Sequence, residues 1–129
     1  MTPELTILAL AGLLQALQFF LYSTLANMQV PTKVALGPRD TPVELQGYAG
    51  RARRALNNHF EGLILFTLAV VVVTLSDQST SLTQTAAWAY LIARVLYVPA
   101  YLIGKGPWRS LIWFVGFMAT VIMIISTLM

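Results

Sequence analysis

The chain has 129 residues, of which 57% are hydrophobic and only 10% are charged, against about 25% charged residues in an ordinary soluble domain. This composition excludes a soluble globular domain, because so much exposed apolar surface would cause aggregation, and it indicates a small membrane protein of one domain. The formal net charge of +3 is too small to predict nucleic-acid binding, and the lack of cysteine excludes disulfides, thiolate metal sites and a cysteine nucleophile.

The first predicted element is a membrane-spanning helix at about residues 5–26. No charged residue occurs between Glu4 and Lys33, and the stretch contains the ~20 apolar residues that a bilayer core requires. Because an acidic residue precedes it, where a cleaved signal peptide carries basic residues, we expect a retained span. Residues 28–49, with three prolines and two glycines, are predicted to form one long loop.

The second predicted helix, at about residues 50–76, carries polar side chains into the membrane. The apolar run from Gly62 to Ser76 has 15 residues. Its length of ~22 Å at 1.5 Å per residue is too short for a ~30 Å hydrocarbon core. The helix is therefore expected to begin near Gly50, and this start places Asn58 and Glu61 inside the bilayer.

The third predicted span covers about residues 82–103 and is long enough only if it includes Arg94. A polar connection at residues 76–81 separates it from the second span. The fourth span, about residues 108–129, follows Pro107 and carries no charge after Arg109. These four spans predict an all-α membrane protein that forms a four-transmembrane-helix bundle.

The basic residues lie at one side of these four spans and predict the orientation of the chain. They are Lys33, Arg39, Arg51, Arg53, Arg54, Lys105 and Arg109. Arg94, within the third span, is the exception. By the positive-inside rule, the first and third loops face the cytoplasm, and both termini lie on the opposite side.

Two predicted helices carry a polar stripe along one face. The stripes consist of Arg51, Arg54, Asn58 and Glu61 on the second helix, and of Tyr90, Arg94, Tyr97 and Tyr101 on the third. Glu61 is expected ~16 Å and Arg94 ~13 Å from the cytoplasmic ends of their helices. A charge at the bilayer centre costs at least ~2.5–3.5 kcal/mol, so we expect these two residues to face inward and to pair.

The residues alone leave the role of these stripes open. A buried pair of Glu61 and Arg94, together with Asn58, can simply fix the register of the bundle. The arginines and tyrosines nearer the cytoplasm are either snorkelling side chains with an interfacial tyrosine belt, or a set of guanidinium groups and phenols that recognises an anion. His59 is a lone histidine and is expected to contact a helix, so no metal site is predicted.

Three short elements of the sequence resemble the MAPEG family, the membrane-associated proteins in eicosanoid and glutathione metabolism. They are R-x-x-x-N-x-x-E at residues 54–61, A-R-x-x-Y at 93–97 and P-x-R-S at 107–110, and the resemblance is close over about residues 48–117. It implies four-helix subunits that assemble as a homotrimer, with glutathione as co-substrate bound between adjacent subunits near the cytoplasmic face.

The resemblance also implies roles for individual residues. The implied glutathione-binding residues are Arg51, Arg54, Asn58, Glu61, Arg94 and Tyr101, and the implied catalytic residues are Arg109 and Tyr97. Arg109 would stabilise the thiolate of glutathione and Tyr97 would assist by hydrogen bonding. Tyr97 and Tyr101 would come either from the neighbouring subunit or from the facing third helix. Arg94 would also support the bundle.

The expected function is that of a membrane-bound, glutathione-dependent transferase or peroxidase. Its second substrate would be a lipophilic electrophile or a lipid hydroperoxide that arrives through the membrane lipids. In a bacterium the protein would lie in the inner membrane, with its active site toward the cytoplasm. One alternative is a non-catalytic trimeric protein that binds lipid or regulates a partner. Another is a small proton-coupled transporter, against which the clustering of arginines at one membrane face argues.

Overall fold

The computed structural model describes residues 1–29, 45–104 and 106–129, which form four α-helices. They are α1 (Pro3–Gln29), α2 (Gly47–Leu75), α3 (Ser81–Ile103) and α4 (Trp108–Leu128). All four are long and apolar enough to cross a membrane. The prediction of an all-α, four-helix membrane protein is therefore confirmed.

Several sequence-based predictions fall on residues outside the described ranges. The long loop predicted at residues 28–49 lies mostly at 30–44, and Lys33, Arg39 and Lys105 also belong to the stretches that are not described. The orientation of the chain rests in part on these basic residues. The assignment of the first and third loops to the cytoplasm therefore stays a prediction.

The second helix begins at Gly47, three residues before the predicted start at 50. A reciprocal pair of hydrogen bonds joins this start to the end of α1. The Gln29 side chain donates from Nε2 to the Gln46 carbonyl at 2.6 Å, and the Gln46 N–H donates to Gln29 Oε1 at 3.0 Å. At 1.5 Å per residue α2 is about 43 Å long, so it extends beyond a ~30 Å hydrocarbon core.

All four helices contribute to one apolar core. Its fully buried members include Ile7 and Ala11 of α1, Phe66 and Val70 of α2, Ala87 and Tyr90 of α3, and Met123 of α4. The rings of Phe66 and Tyr90 stack with centroids 3.9 Å apart and an interplanar angle of 6°. Small residues such as Ala11 and Ala87 let the helices approach closely. Large apolar side chains elsewhere, such as Leu17, are exposed and provide a surface for lipid.

The third helix starts with a capping box. Thr80 Oγ1 accepts a hydrogen bond from the Thr83 N–H at 3.2 Å, and Thr83 Oγ1 accepts one from the Thr80 N–H at 2.8 Å. Two backbone donors that the helix itself leaves without acceptors are satisfied in this way. The polar connection after α2 thus defines the residue at which α3 begins.

We expect Thr80→Ala to lower the free energy of unfolding by about 1 kcal/mol, because the Thr83 N–H loses its acceptor. Unfolding of the detergent-solubilised protein, followed by circular dichroism, measures this change. Thr85→Ala is the matched control, since Thr85 is an exposed threonine of the same helix. It should change the stability by no more than about 0.5 kcal/mol. Equal losses in the two variants would contradict the role of the cap.

Candidate functional site

Arg94 on α3 joins three helices through its guanidinium group. Its Nη1 donates to Asn58 Oδ1 at 2.9 Å, and its Nε donates to His59 Nδ1 at 3.3 Å. His59 Nε2 lies 3.0 Å from the Ala11 carbonyl of α1. An arginine Nε only donates and a carbonyl only accepts, so His59 must be neutral and carry its proton on Nε2. The side chains of Arg94 and His59 thus connect α1, α2 and α3.

The predicted pair of Glu61 and Arg94 is wrong for the single chain. Arg94 donates to Asn58 and His59, and the Glu61 side chain is exposed. The axial position of α2 against α3 explains the difference. The hydrogen bond from Arg51 Nη1 to the Leu102 carbonyl, at 3.0 Å, marks which residues of the two helices lie at the same level.

Depths counted from that hydrogen bond show which side chains can meet. At 1.5 Å per residue, Arg94 lies about 12 Å along α3 from Leu102. On α2, Asn58 lies about 10 Å and Glu61 about 15 Å from Arg51. The Asn58 amide is therefore closer in level to the guanidinium group than the Glu61 carboxylate is.

Nearer the end of α3, two guanidinium groups contact the same phenol. Arg54 Nε donates to the Tyr101 hydroxyl at 3.2 Å, and the guanidinium carbon of Arg109 lies 4.7 Å from the centroid of the Tyr101 ring. The Tyr97 ring lies 5.6 Å from that of Tyr101, and Arg94 lies 4.5 Å above its centroid. The structure thus brings both tyrosines to this cluster from the facing third helix of the same chain.

A cavity of about 430 Å³ lies beside this cluster, and we call it the arginine cavity. It is lined by Asn58, Tyr97, Arg109, Ser110, Trp113 and Phe114. Its polar groups include a guanidinium group, which only donates, and a phenol and an aliphatic hydroxyl, which can each donate one hydrogen bond. The two aromatic rings form an apolar wall. Such a lining can bind an anionic group beside an apolar one.

Arg51 is used differently from the other predicted binding residues. Its guanidinium group donates to the last turn of α3 at Leu102, and its carbon lies 5.8 Å from the centroid of the Tyr48 ring. Gly104 ends α3 with φ of 69°, and a Cβ at that position would lie 3.3 Å from the Arg51 Cζ. These contacts hold Arg51 at the end of α3, where it stabilises the helix terminus.

The predicted helix contact of His59 is confirmed by the Ala11 carbonyl of α1. The sequence did not predict the bond from Arg94 to His59, or a role for Ser110 or Tyr90 in this region. His59 follows Asn58 of the polar stripe directly, and its two partners, Arg94 and the Ala11 carbonyl, come from different helices. Ser110 directly follows Arg109 and lines the same cavity. Tyr90 belongs to the stripe on α3, so its place in the sequence was a usable signal.

Comparison with known proteins identifies the family of this chain. The MAPEG family model matches residues 7–129, which include α2, α3, α4 and most of α1. No curated protein and no solved structure matches the chain. The match extends the resemblance of the three polar elements to nearly the full length of the chain. With its four helices of membrane-spanning length and composition, the chain is an integral multi-pass membrane protein that belongs to the MAPEG family.

Proposed function

We propose that this protein is a glutathione-dependent transferase or peroxidase that acts on lipophilic electrophiles or lipid hydroperoxides. The observation that carries this proposal is the convergence of Arg54 and Arg109 on the Tyr101 ring, beside the arginine cavity. Membership of the MAPEG family supports a glutathione-related function at the level of the family. The cluster of Arg54 and Arg109 supports the more specific proposal, because guanidinium groups suit the recognition of carboxylates.

The side chains of the cluster match the chemical groups of glutathione. The tripeptide carries two carboxylates, an amino group and a thiol. Arg54 and Arg109 contact a phenol, and in the part of the chain that the structure describes neither is bonded to a carboxylate. Their positive charge is thus available to the anionic groups. The exposed Glu61 carboxylate is available to the amino group.

Arg109 is the residue we assign to activation of the thiol. A guanidinium group close to a thiol lowers the pKa of the thiol, because it stabilises the thiolate, and the thiolate is the nucleophile. Tyr97 lines the same cavity, and its hydroxyl is the group that we expect to donate a hydrogen bond to the sulfur. Because the chain contains no cysteine, the reacting sulfur must come with the substrate.

We further propose that the protein works as a homotrimer with its site between subunits. Arg54, Glu61, Arg109 and Phe114 are all exposed on the single chain, and Arg109 and Phe114 line the arginine cavity. A neighbouring subunit would cover this surface and complete the walls of the site. The lipophilic substrate would enter from the bilayer past Trp113 and Phe114.

Thermal unfolding of the detergent-solubilised protein with increasing glutathione tests the proposed function. A ligand at 100 times its Kd stabilises the folded state by about 2.7 kcal/mol, so we expect Tm to rise with the logarithm of the glutathione concentration above Kd. Sodium acetate at equal ionic strength is the control and should leave Tm unchanged. An unchanged Tm together with an unchanged pKa of the glutathione thiol would refute the proposal.

A further inference from the structure

A second cavity, of about 180 Å³, lies deeper in the bundle between α2, α3 and α4, and we call it the inner cavity. It shares Asn58 and Trp113 with the arginine cavity. Its polar lining residues also include Tyr90, Arg94 and Glu61, whereas Leu65 and Phe117 are apolar. The position of Glu61, about 15 Å along α2 from Arg51, places this cavity well inside the membrane.

Two residues that line the inner cavity each carry a buried polar group with no hydrogen-bond partner in the described part of the chain. Arg94 is only 3% exposed, and its Nη2 has no partner there, although its Nε and Nη1 donate to His59 and Asn58. Tyr90 is 2% exposed, and its hydroxyl also has no partner among the described residues. Buried polar groups are nearly always hydrogen-bonded, so two such groups beside one cavity indicate a ligand that satisfies them.

Neighbouring side chains hold both groups in place. The Tyr90 ring stacks on Phe66, and the Arg94 guanidinium group lies over the Tyr97 ring. Gly62 leaves the space in front of them open, since a Cβ there would lie 3.7 Å from the Tyr90 hydroxyl and 3.9 Å from Arg94 Nη1. A larger side chain at this position would project into the cavity. The fixed donors and the open space together form a pre-organised site.

We infer that the inner cavity binds a neutral acceptor oxygen, such as a carbonyl or hydroperoxide oxygen, through Arg94 Nη2 and the Tyr90 hydroxyl. Glu61 lines the same cavity, so its carboxylate offsets the positive charge of Arg94 and reduces the attraction for a full anion. The inference rests on the proposed function and deepens it, since it names the chemical group that the second substrate must carry. The apolar walls favour the lipophilic substrate as the source of this oxygen. A peptide carbonyl of glutathione is the other source with the same chemistry.

Infrared spectroscopy of dihexyl ketone with an isotopically labelled carbonyl tests the site directly. With the membrane-reconstituted protein, we expect a second carbonyl band at lower frequency than that of the ketone dissolved in lipid. Its intensity should saturate at one ketone per chain. Gly62→Val should abolish this band, because it fills the cavity. Tyr90→Phe should weaken ketone binding about fivefold, which is the effect of losing one hydrogen bond. It should also move the band part of the way back toward the frequency of the ketone in lipid. Tyr22→Phe removes a phenol from α1, outside the cavity, and should leave the band unchanged.

Glutathione binding, measured by thermal shift in the same variants, distinguishes the two sources. A ketone band that both variants diminish, with unchanged glutathione affinity, assigns the oxygen to the lipophilic substrate. Weaker glutathione affinity in both variants, without a ketone band, assigns it to a peptide carbonyl. Unchanged glutathione affinity and no ketone band would overturn the inference, provided that both variants unfold with the cooperativity of the wild type. If the wild type does not bind glutathione, the proposed function fails and the ketone band alone decides the inference.

Discussion

Replacing Arg94 by methionine should lower the free energy of unfolding by about 3–6 kcal/mol, because two buried hydrogen bonds to a charged group are lost at about 1.5–3 kcal/mol each. The substitution leaves Asn58 Oδ1 and His59 Nδ1 without the donor they contact at 2.9 and 3.3 Å. It also breaks the connection from α3 through His59 to α1. Unfolding of the purified protein in mixed detergent micelles measures this loss.

A double-mutant cycle with His59→Leu separates this network from a general effect of removing a buried arginine. If the hydrogen bond stabilises the fold, the second substitution should cost less in Arg94→Met than in the wild type. We expect a coupling free energy of about 1 kcal/mol or more. Strictly additive effects of the two substitutions would show that the contact does not stabilise the bundle.

Arg109→Ala should lower kcat/KM for thiol transfer to a lipophilic electrophile by about 100-fold, in line with the loss of one pre-organised charged donor. Since Arg109 is exposed on the single chain, the stability of the fold should change little. The guanidinium group favours the thiolate, so its removal should raise the pKa of the bound thiol. The pH dependence of kcat/KM should therefore shift to higher pH than in the wild type.

Arg53→Ala is the matched control for this substitution. Arg53 is an exposed arginine of α2 that does not line either cavity described above, so activity and pH profile should both be retained. Arg109→Lys keeps the charge and should recover part of the rate. Undiminished transfer in Arg109→Ala would refute the assigned role. A protein that binds lipid but neither binds nor transfers a thiol would instead favour the non-catalytic alternative.

The fold could be predicted from the sequence because its physical cause is local. Each span is a run of apolar residues whose length must match the hydrocarbon core, and the backbone must be helical to satisfy its own hydrogen bonds. The shortness of residues 62–76 therefore required α2 to begin upstream. Its start at Gly47 was harder to place, because the Gln29 side chain bonds to the backbone at Gln46 across a gap in sequence.

The site could be predicted only in part. The spacing along each helix identified which polar residues share a face, and members of the two stripes do meet, at Arg54, Tyr97 and Tyr101 and again at Asn58 and Arg94. Arg109 joins the first group from α4, which carries no predicted stripe. Spacing along one helix does not, however, fix its axial position against the next. The pairing of Glu61 with Arg94 was wrong for this reason.

The bond from His59 to the Ala11 carbonyl has a consequence for how this family varies. Its acceptor belongs to the backbone, so every residue type at position 11 supplies the same oxygen. Ala11 is fully buried, and a larger side chain there would push the helices apart. Among relatives, retention of the histidine should therefore accompany a small residue at position 11. A search for co-varying polar pairs would overlook this contact, whereas a comparison of side-chain volumes would detect it.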